Sequence, residues 1–119
     1  MITHSDLPRE LNLATWFVDR NVEDGRGDRV ALISPAGKTT YAELALLVNR
    51  CGNLLRELGV RAEEHVLLAL GDSVEFVALW YGAQKSGAVT AEAYTFLQPK
   101  DYAYYLEYTD ALVVAVDET

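Results

Sequence analysis

Residues 65–93 read HVLLALGDSVEFVALWYGAQKSGAVTAEA, and the parsing of this stretch decides the fold. HVLLAL (His65 to Leu70) is a short, nearly continuous apolar run. That is the pattern of a strand covered on both faces rather than one wetted at alternate residues. Asp72 and Glu75 have the spacing of a capping box, which opens a helix over SVEFVALWYGAQKS that Gly87 closes. AVTAEA follows as a strand. Strands separated by helices of this length imply βαβ crossovers, hence a mainly parallel sheet.

Upstream, the punctuation is equally complete. Asn12 caps a first helix, LATWFVDRNVED, with Leu11 and Trp16 placed as a hydrophobic staple and Gly25 and Gly27 at its end. RVALIS (Arg29 to Ser34) alternates, PAG turns, and KTT returns, which predicts a short antiparallel hairpin. Thr40 and Glu43 form a capping box that starts the longest helix, YAELALLVNRCGNLLREL, stopped by Gly59. Its residues Leu44, Leu47, Val48, Cys51, Leu54, Leu55 and Leu58 keep the spacing of one buried face.

Downstream, Pro99 occupies the first position of a helix over PKDYAYYLEYT, and ALVVAV (Ala111 to Val116) is the last strand. Glu92 to Tyr108 holds five of the seven tyrosines. Tyr102, Tyr105 and Leu106 share a helical face and are expected to pack on the sheet, while Tyr104 and Tyr108 form a second, half-exposed pair. The fold class is therefore α/β: an incomplete Rossmann-like, mainly parallel sheet with covering helices and a short N-terminal β-hairpin. Residues 1–11 are expected to be a flexible terminus and 12–119 one folded unit.

The chain has 119 residues, half of them apolar, and a net charge of −8. The acidity argues against nucleic-acid or anionic-membrane partners, because phosphate surfaces demand a basic face. Cys51 is the only cysteine, so an intrachain disulfide is excluded. The polar start carries no secretory signal, and no apolar run reaches the roughly 18 residues of a membrane span. The expected localisation is cytoplasmic.

Chemical motifs are sparse. No G-x-G-x-x-G follows a strand and no Walker-type loop is present. GRGDR (Gly25 to Arg29) follows a helix and precedes a strand, the wrong order for a phosphate cradle, and reads as a loop. His4 and His65 lack partners at metal-ligand spacing, and Cys51 lies on an apolar helix face as an inert thiol. No catalytic, cofactor-binding or metal-ligating residue is assigned. Two residues stand out. Glu92 interrupts small residues near a strand's carboxyl end, and Tyr94 follows it on the edge where parallel sheets bind ligands. Both are candidates for contact with substrate or with another domain.

Taken in order, GDRVALIS, KTTYAELALLVNRCGNLLRELGV, GDSVEFVALWYGAQKSGAV and LQPKDYAYYLEYTDA resemble the start of the AMP-forming acyl-CoA synthetases. That superfamily also includes peptide-synthetase adenylation domains and luciferases. Its members begin similarly, with a T-Y-x-E-L helix start, an N-S-x-E-F helix, G-A-V, and then a proline-started helix. The opening NLATWFVDRNVEDGRGDRVALI resembles most the aryl-CoA ligases of the benzoate or anthranilate type. This sequence departs from the common pattern at Glu92, where proline is usual, and at Tyr94, where asparagine is usual.

The resemblance implies a two-step ligase for an aromatic acid, using ATP, magnesium and coenzyme A. It also implies that the phosphate loop, acidic magnesium motif, ribose aspartate and mobile lysine lie downstream of the matched part. Residues 12–119 are then the N-terminal subdomain of such a ligase, without turnover alone, and the partner is the missing remainder, in the same or a separate chain. An unfinished sheet should also favour self-association. The rival readings are a stand-alone small binding module of doubly wound type, and an assembly fragment that pairs with a separate remainder.

Overall fold

The computed structural model describes residues 1–118; Thr119, the last residue of the expected 12–119 unit, lies outside the described residues. A helical segment over residues 13–26 leads into the hairpin strands β1 (Val30–Ser34) and β2 (Gly37–Thr40). Then come α1 (Tyr41–Glu57), β3 (His65–Ala69), α2 (Val74–Ser86), β4 (Val89–Glu92), α3 (Pro99–Thr109) and β5 (Val113–Val116). β1 and β2 pair antiparallel, and a three-stranded parallel sheet has the order β4–β3–β5. The α/β class, the parallel sheet and the separate hairpin agree with the sequence pattern.

Local codes account for most element ends. The Glu43 N–H donates to Thr40 Oγ1 at 3.2 Å and the Thr40 N–H donates to Glu43 Oε2 at 2.8 Å, so the first capping box is formed. Gly59 and Gly87 take φ of +91° and +83°, the left-handed geometry that ends a helix without a Cβ penalty. Asn12 Oδ1 accepts from the Ala14 and Thr15 N–H groups, as a helix cap should. The segment it opens is not a regular α-helix: Thr15–Asp19 and Val22–Arg26 form wide π-type turns, and Gly25 (φ +79°) breaks the second.

Three expectations are corrected. The cap of α2 is Ser73, not Asp72: the extended Ser73 (φ −154°) accepts from the Phe76 N–H at 3.1 Å, so the helix starts one residue later and no Asp72–Glu75 box forms. On α1 the buried stripe is Leu44, Val48, Gly52 and Leu55, whereas Leu54 and Leu58 are about half exposed. The helix is turned to bring Gly52 against α2. A Cβ built on Gly52 would lie 3.2 Å from the Gly82 carbonyl oxygen, and one on Gly82 only 2.8 Å from the Gly52 nitrogen and from Cys51 Cβ. Backbones that approach so closely exclude the larger residues on either side from the contact's centre. The third correction concerns α3, none of whose residues is buried.

The larger part of the core lies on one side of the sheet, with Leu67 and Ala69 of β3 buried on the other. Val66 and Leu68 project from β3 into a cluster with Leu55, Val60, Ala83 and Ala88, joined by Val113 and Ala115 of β5. A second cluster, Ala14, Val18, Leu44, Val48 and Ala78, fastens the 13–26 segment and hairpin to α1 and α2. Polar ties reinforce that junction. Lys85 Nζ reaches Asp19 Oδ2 and Asn49 Oδ1, each at 2.7 Å, and Asn12 Nδ2 donates to the Gln84 carbonyl at 2.9 Å.

Candidate functional site

β3 and β4 run parallel and end side by side, with Leu68 opposite Glu92. Past their carboxyl ends lies an open cleft of about 590 Å³. The β3–α2 connection (Leu70, Gly71, Asp72) forms one wall, Phe76 the floor of the α2 end, and Glu92 through Leu97 with Tyr105 the other wall. The position is the one that a parallel sheet offers to ligands, because chain leaving adjacent strands diverges there.

The loop after β4 is held in a defined shape. The Ala93 N–H donates to the Leu68 carbonyl, extending the β3–β4 ladder one residue. Tyr102, one turn into α3, then ties the loop back: its hydroxyl donates to the Tyr94 carbonyl at 2.6 Å and accepts from the Leu97 N–H at 3.1 Å. With its backbone fixed this way, the loop turns Tyr94 and Phe96 outward as a stacked pair, centroids 5.1 Å apart and planes 20° from parallel. Tyr94 is 69% and Phe96 75% exposed. On the far side of β3, the Gly71 N–H donates to Asp117 Oδ2 at 2.8 Å and ties the end of β3 to the end of β5.

Both sequence candidates line this cleft. Glu92 is its exposed acidic rim rather than a buried carboxylate, and Tyr94 its aromatic lip. Sequence reasoning placed Tyr102 in the packing face and missed its hydroxyl contacts. The available signal was Pro99, which fixes the helix start and so sets Tyr102 close to the strand just left. Phe96 was also missed, having nothing but its aromatic character to mark it.

The other tyrosines divide as expected in part. Tyr104 and Tyr108 stack at 5.8 Å on the outside of α3. Tyr102 and Leu106 do face the sheet, where with Leu67, Ala69, Val114 and Val116 they line a second cleft of about 360 Å³; Leu67 and Ala69 are buried there while Val114 and Val116 stay exposed.

Among the described residues no three His, Cys, Asp or Glu side chains gather as a metal-holding group, and no buried polar side-chain atom lacks a partner. Cys51 and Tyr81 sit in the helical layer instead. Burial pushes the Cys51 thiol above its ordinary value, with the Glu75 carboxylate adding to the shift; burial does the same to Tyr81, with Tyr41 adding. A thiol raised in this way is a poor nucleophile at neutral pH. Arg26 in the 25–29 loop is engaged by Asn21 and Asp24, which supports the plain loop reading.

The geometry defines the class first: an α/β domain with a parallel sheet whose ligand edge is formed by the strand ends. The AMP-binding enzyme family matches this chain over residues 18–119. The 4-hydroxybenzoate–CoA/benzoate–CoA ligase of Rhodopseudomonas palustris is 42% identical over 106 residues, 89% of this chain and 20% of that ligase. A crystal structure of a benzoate CoA ligase from Burkholderia xenovorans superposes with TM-score 0.84 at 36% identity, covering 90% of this chain and 22% of that one. An anthranilate CoA ligase crystallised with anthranoyl-AMP gives TM-score 0.89 at 35% identity, over 98% of this chain and 22% of that one.

The chain belongs to the AMP-binding enzyme family, and within it resembles the aryl-CoA ligases. It spans about a fifth of the length of these relatives. A stand-alone binding module is not favoured by matches that run through nearly the whole chain. No helix among the described residues is long and apolar enough to cross a membrane.

Proposed function

We propose that residues 12–119 form the N-terminal subdomain of a cytoplasmic, ATP-dependent, AMP-forming ligase that joins an aromatic carboxylate to coenzyme A. The observation that carries this reading is the 42% identity to a benzoate-type ligase across 89% of the chain. In such a ligase the carboxylate attacks the α-phosphorus of ATP, pyrophosphate leaves, and the coenzyme A thiol then displaces AMP to give the thioester. The residues of this chain do not fit a magnesium–ATP site: the sequence has no glycine-rich phosphate loop, and among the described residues no three His, Cys, Asp or Glu side chains gather. The chain's own contribution is the sheet, its helical cover and the walls of the cleft past β3 and β4.

Alone, the chain does not turn over; thioester formation from benzoate, ATP and coenzyme A by the pure 119-residue protein overturns that statement. Joined in one polypeptide to the remainder of the Rhodopseudomonas palustris ligase, it is expected to support pyrophosphate exchange with benzoate, 4-hydroxybenzoate or anthranilate. Exchange with short aliphatic acids only would refute the aromatic assignment, and none at all would refute the ligase reading.

Glu92 and Tyr94 are the contact residues of the cleft, toward substrate or toward the rest of the enzyme. In the joined protein, a higher KM for the acid in Tyr94→Ala assigns the first role. A lower melting temperature with KM intact assigns the second, and no change in either removes Tyr94 as a contact.

A further inference from the structure

The cleft past β3 and β4 is lined by four aromatic rings and two carboxylates. Phe76 lies at its floor, Tyr105 on a wall, Tyr94 and Phe96 at the lip, and Asp72 and Glu92 on opposite walls. Among the described residues no lysine, arginine or histidine lines it. Neither carboxylate has an ion-pair partner among the described residues, where the pairs are Arg20–Asp24, Arg26–Asp24 and Lys85–Asp19.

Charge decides what such a cleft can hold. An entering carboxylate or phosphate meets two like charges and no cation. The one positive feature close by, the N-terminal end of α2, is already engaged: Ser73 Oγ accepts from the Phe76 N–H, and Glu75 lies in the first turn. The Gly71 N–H is taken by Asp117. A cation meets the opposite conditions, two carboxylates and ring faces whose π-electron density attracts positive charge. The net charge of −8 draws cations toward the chain from a distance.

Shape narrows the choice of cation. The Tyr94 and Phe96 rings lie 20° from parallel and so present flat faces, and the Tyr102 hydroxyl holds their loop in place before anything binds. A guanidinium is itself flat: it stacks on such a face and keeps N–H groups at its edge for a carboxylate, which a compact ammonium cannot do. With Tyr94 69% and Phe96 75% exposed, the lip is too open to enclose a free small molecule, whose pockets cover most of its surface. It suits a side chain carried in by a larger body.

We propose that this cleft docks an arginine side chain presented by another segment of polypeptide, its guanidinium stacked on the Tyr94–Phe96 pair and bonded to Glu92 on the same wall. This rests on the contact role given to Glu92 and Tyr94 above, and adds the charge and chemistry of what they touch.

The test titrates the 119-residue chain with blocked glycyl-arginyl-glycine and follows the ring protons of Tyr94 and Phe96 by NMR. The expected result is a saturable shift of both rings with millimolar affinity. The same tripeptide with citrulline in place of arginine keeps the shape and loses the charge, and should bind about tenfold more weakly. Glu92→Gln and Tyr94→Leu, both at exposed positions, should leave the circular dichroism unchanged and each weaken arginine binding about threefold. If either variant fails to fold, the citrulline comparison on the unmodified chain decides.

No saturable shift up to about 50 mM peptide overturns the inference, as does equal binding of the citrulline peptide or full-strength arginine binding by both variants. So does equal or tighter binding of guanidinium ion alone, which marks a free small cation, or of benzoate or pyrophosphate at these rings, which marks an anion site. Arginine binding by the chain, with no thioester formed by the joined protein, leaves this inference standing and counts against the ligase reading. Thioester formation without arginine binding does the reverse.

Discussion

The two faces of the parallel sheet are covered by helices that hold on in different ways. On one face α2 lies tight: Val66 and Leu68 are fully buried, and Gly82 lets α2 touch α1 backbone to backbone. On the other face α3 stands off. None of its residues is buried, a cleft of about 360 Å³ leaves Val114 and Val116 exposed although Leu67 and Ala69 of β3 are buried on this face, and the Tyr102 hydroxyl ties the helix to the 94–97 loop. The first layer is built from small residues and aliphatics that interlock. The second presents tyrosines, whose bulk and polar tips keep a helix at a distance unless something fills the gap. The contrast teaches that the larger interlocked cluster lies on the α2 face, while on the α3 face burial stops at Leu67 and Ala69 and leaves Val114 and Val116 exposed.

Substitutions can break or sharpen that contrast. Leu68→Ala should cost about 3–4 kcal/mol, because a large side chain is removed from a fully packed site. Val116→Ala on the opposite face should cost about 0.5 kcal/mol, as at an exposed position. Urea unfolding followed by circular dichroism compares them, and equal shifts in the midpoint would erase the distinction between the faces.

Gly82→Ala comes next at about 2–3 kcal/mol, from overpacking. The added methyl meets the Gly52 nitrogen at 2.8 Å and the Val48 carbonyl at 2.9 Å, backbone atoms that cannot step aside. A neutral result in the same assay would mean that the helices part easily.

Tyr102→Phe keeps the ring and removes both hydroxyl contacts, for about 1 kcal/mol. Its sharper signature is local: the Leu97 amide should exchange faster, while amides of β3 stay as protected as before. Uniform loosening of both would place Tyr102 in the general core rather than at the loop.

The smallest effect concerns pH. Burial, with the Glu75 carboxylate adding to it, raises the Cys51 thiol above its ordinary value, so the folded state holds the proton more tightly. Its contribution is complete below the unfolded thiol's pKa, about 8.5, and is lost as pH rises through the raised folded value. The urea midpoint should therefore fall between pH 8 and 9.5, and fall less in Cys51→Ala. Identical slopes would remove Cys51 from the account.

What the amino-acid order determined by itself was the succession of elements and most of their ends. Thr40 with Glu43, Gly59, Gly87 and Pro99 each act through the φ or the hydrogen bonds of a few neighbouring residues, so their meaning survives without knowledge of the rest. The apolar run at His65–Leu70 announced a strand covered on both faces for the same reason. Tertiary structure alone decided what those elements bury. Leu54 and Leu58 fit the α1 stripe by spacing, yet Gly52 meeting Gly82 set the helix's rotation and left both leucines exposed. Ser73 displaced Asp72 as the cap because its extended backbone aims its hydroxyl at Phe76. In the cleft, Glu92 and Tyr94 were legible from their place after a strand, while the Tyr102 tie depended on the loop folding back over α3. Caps, turns and periods are short-range codes. Burial is a property of two surfaces that come from distant parts of the chain, and neither surface alone specifies how closely they meet.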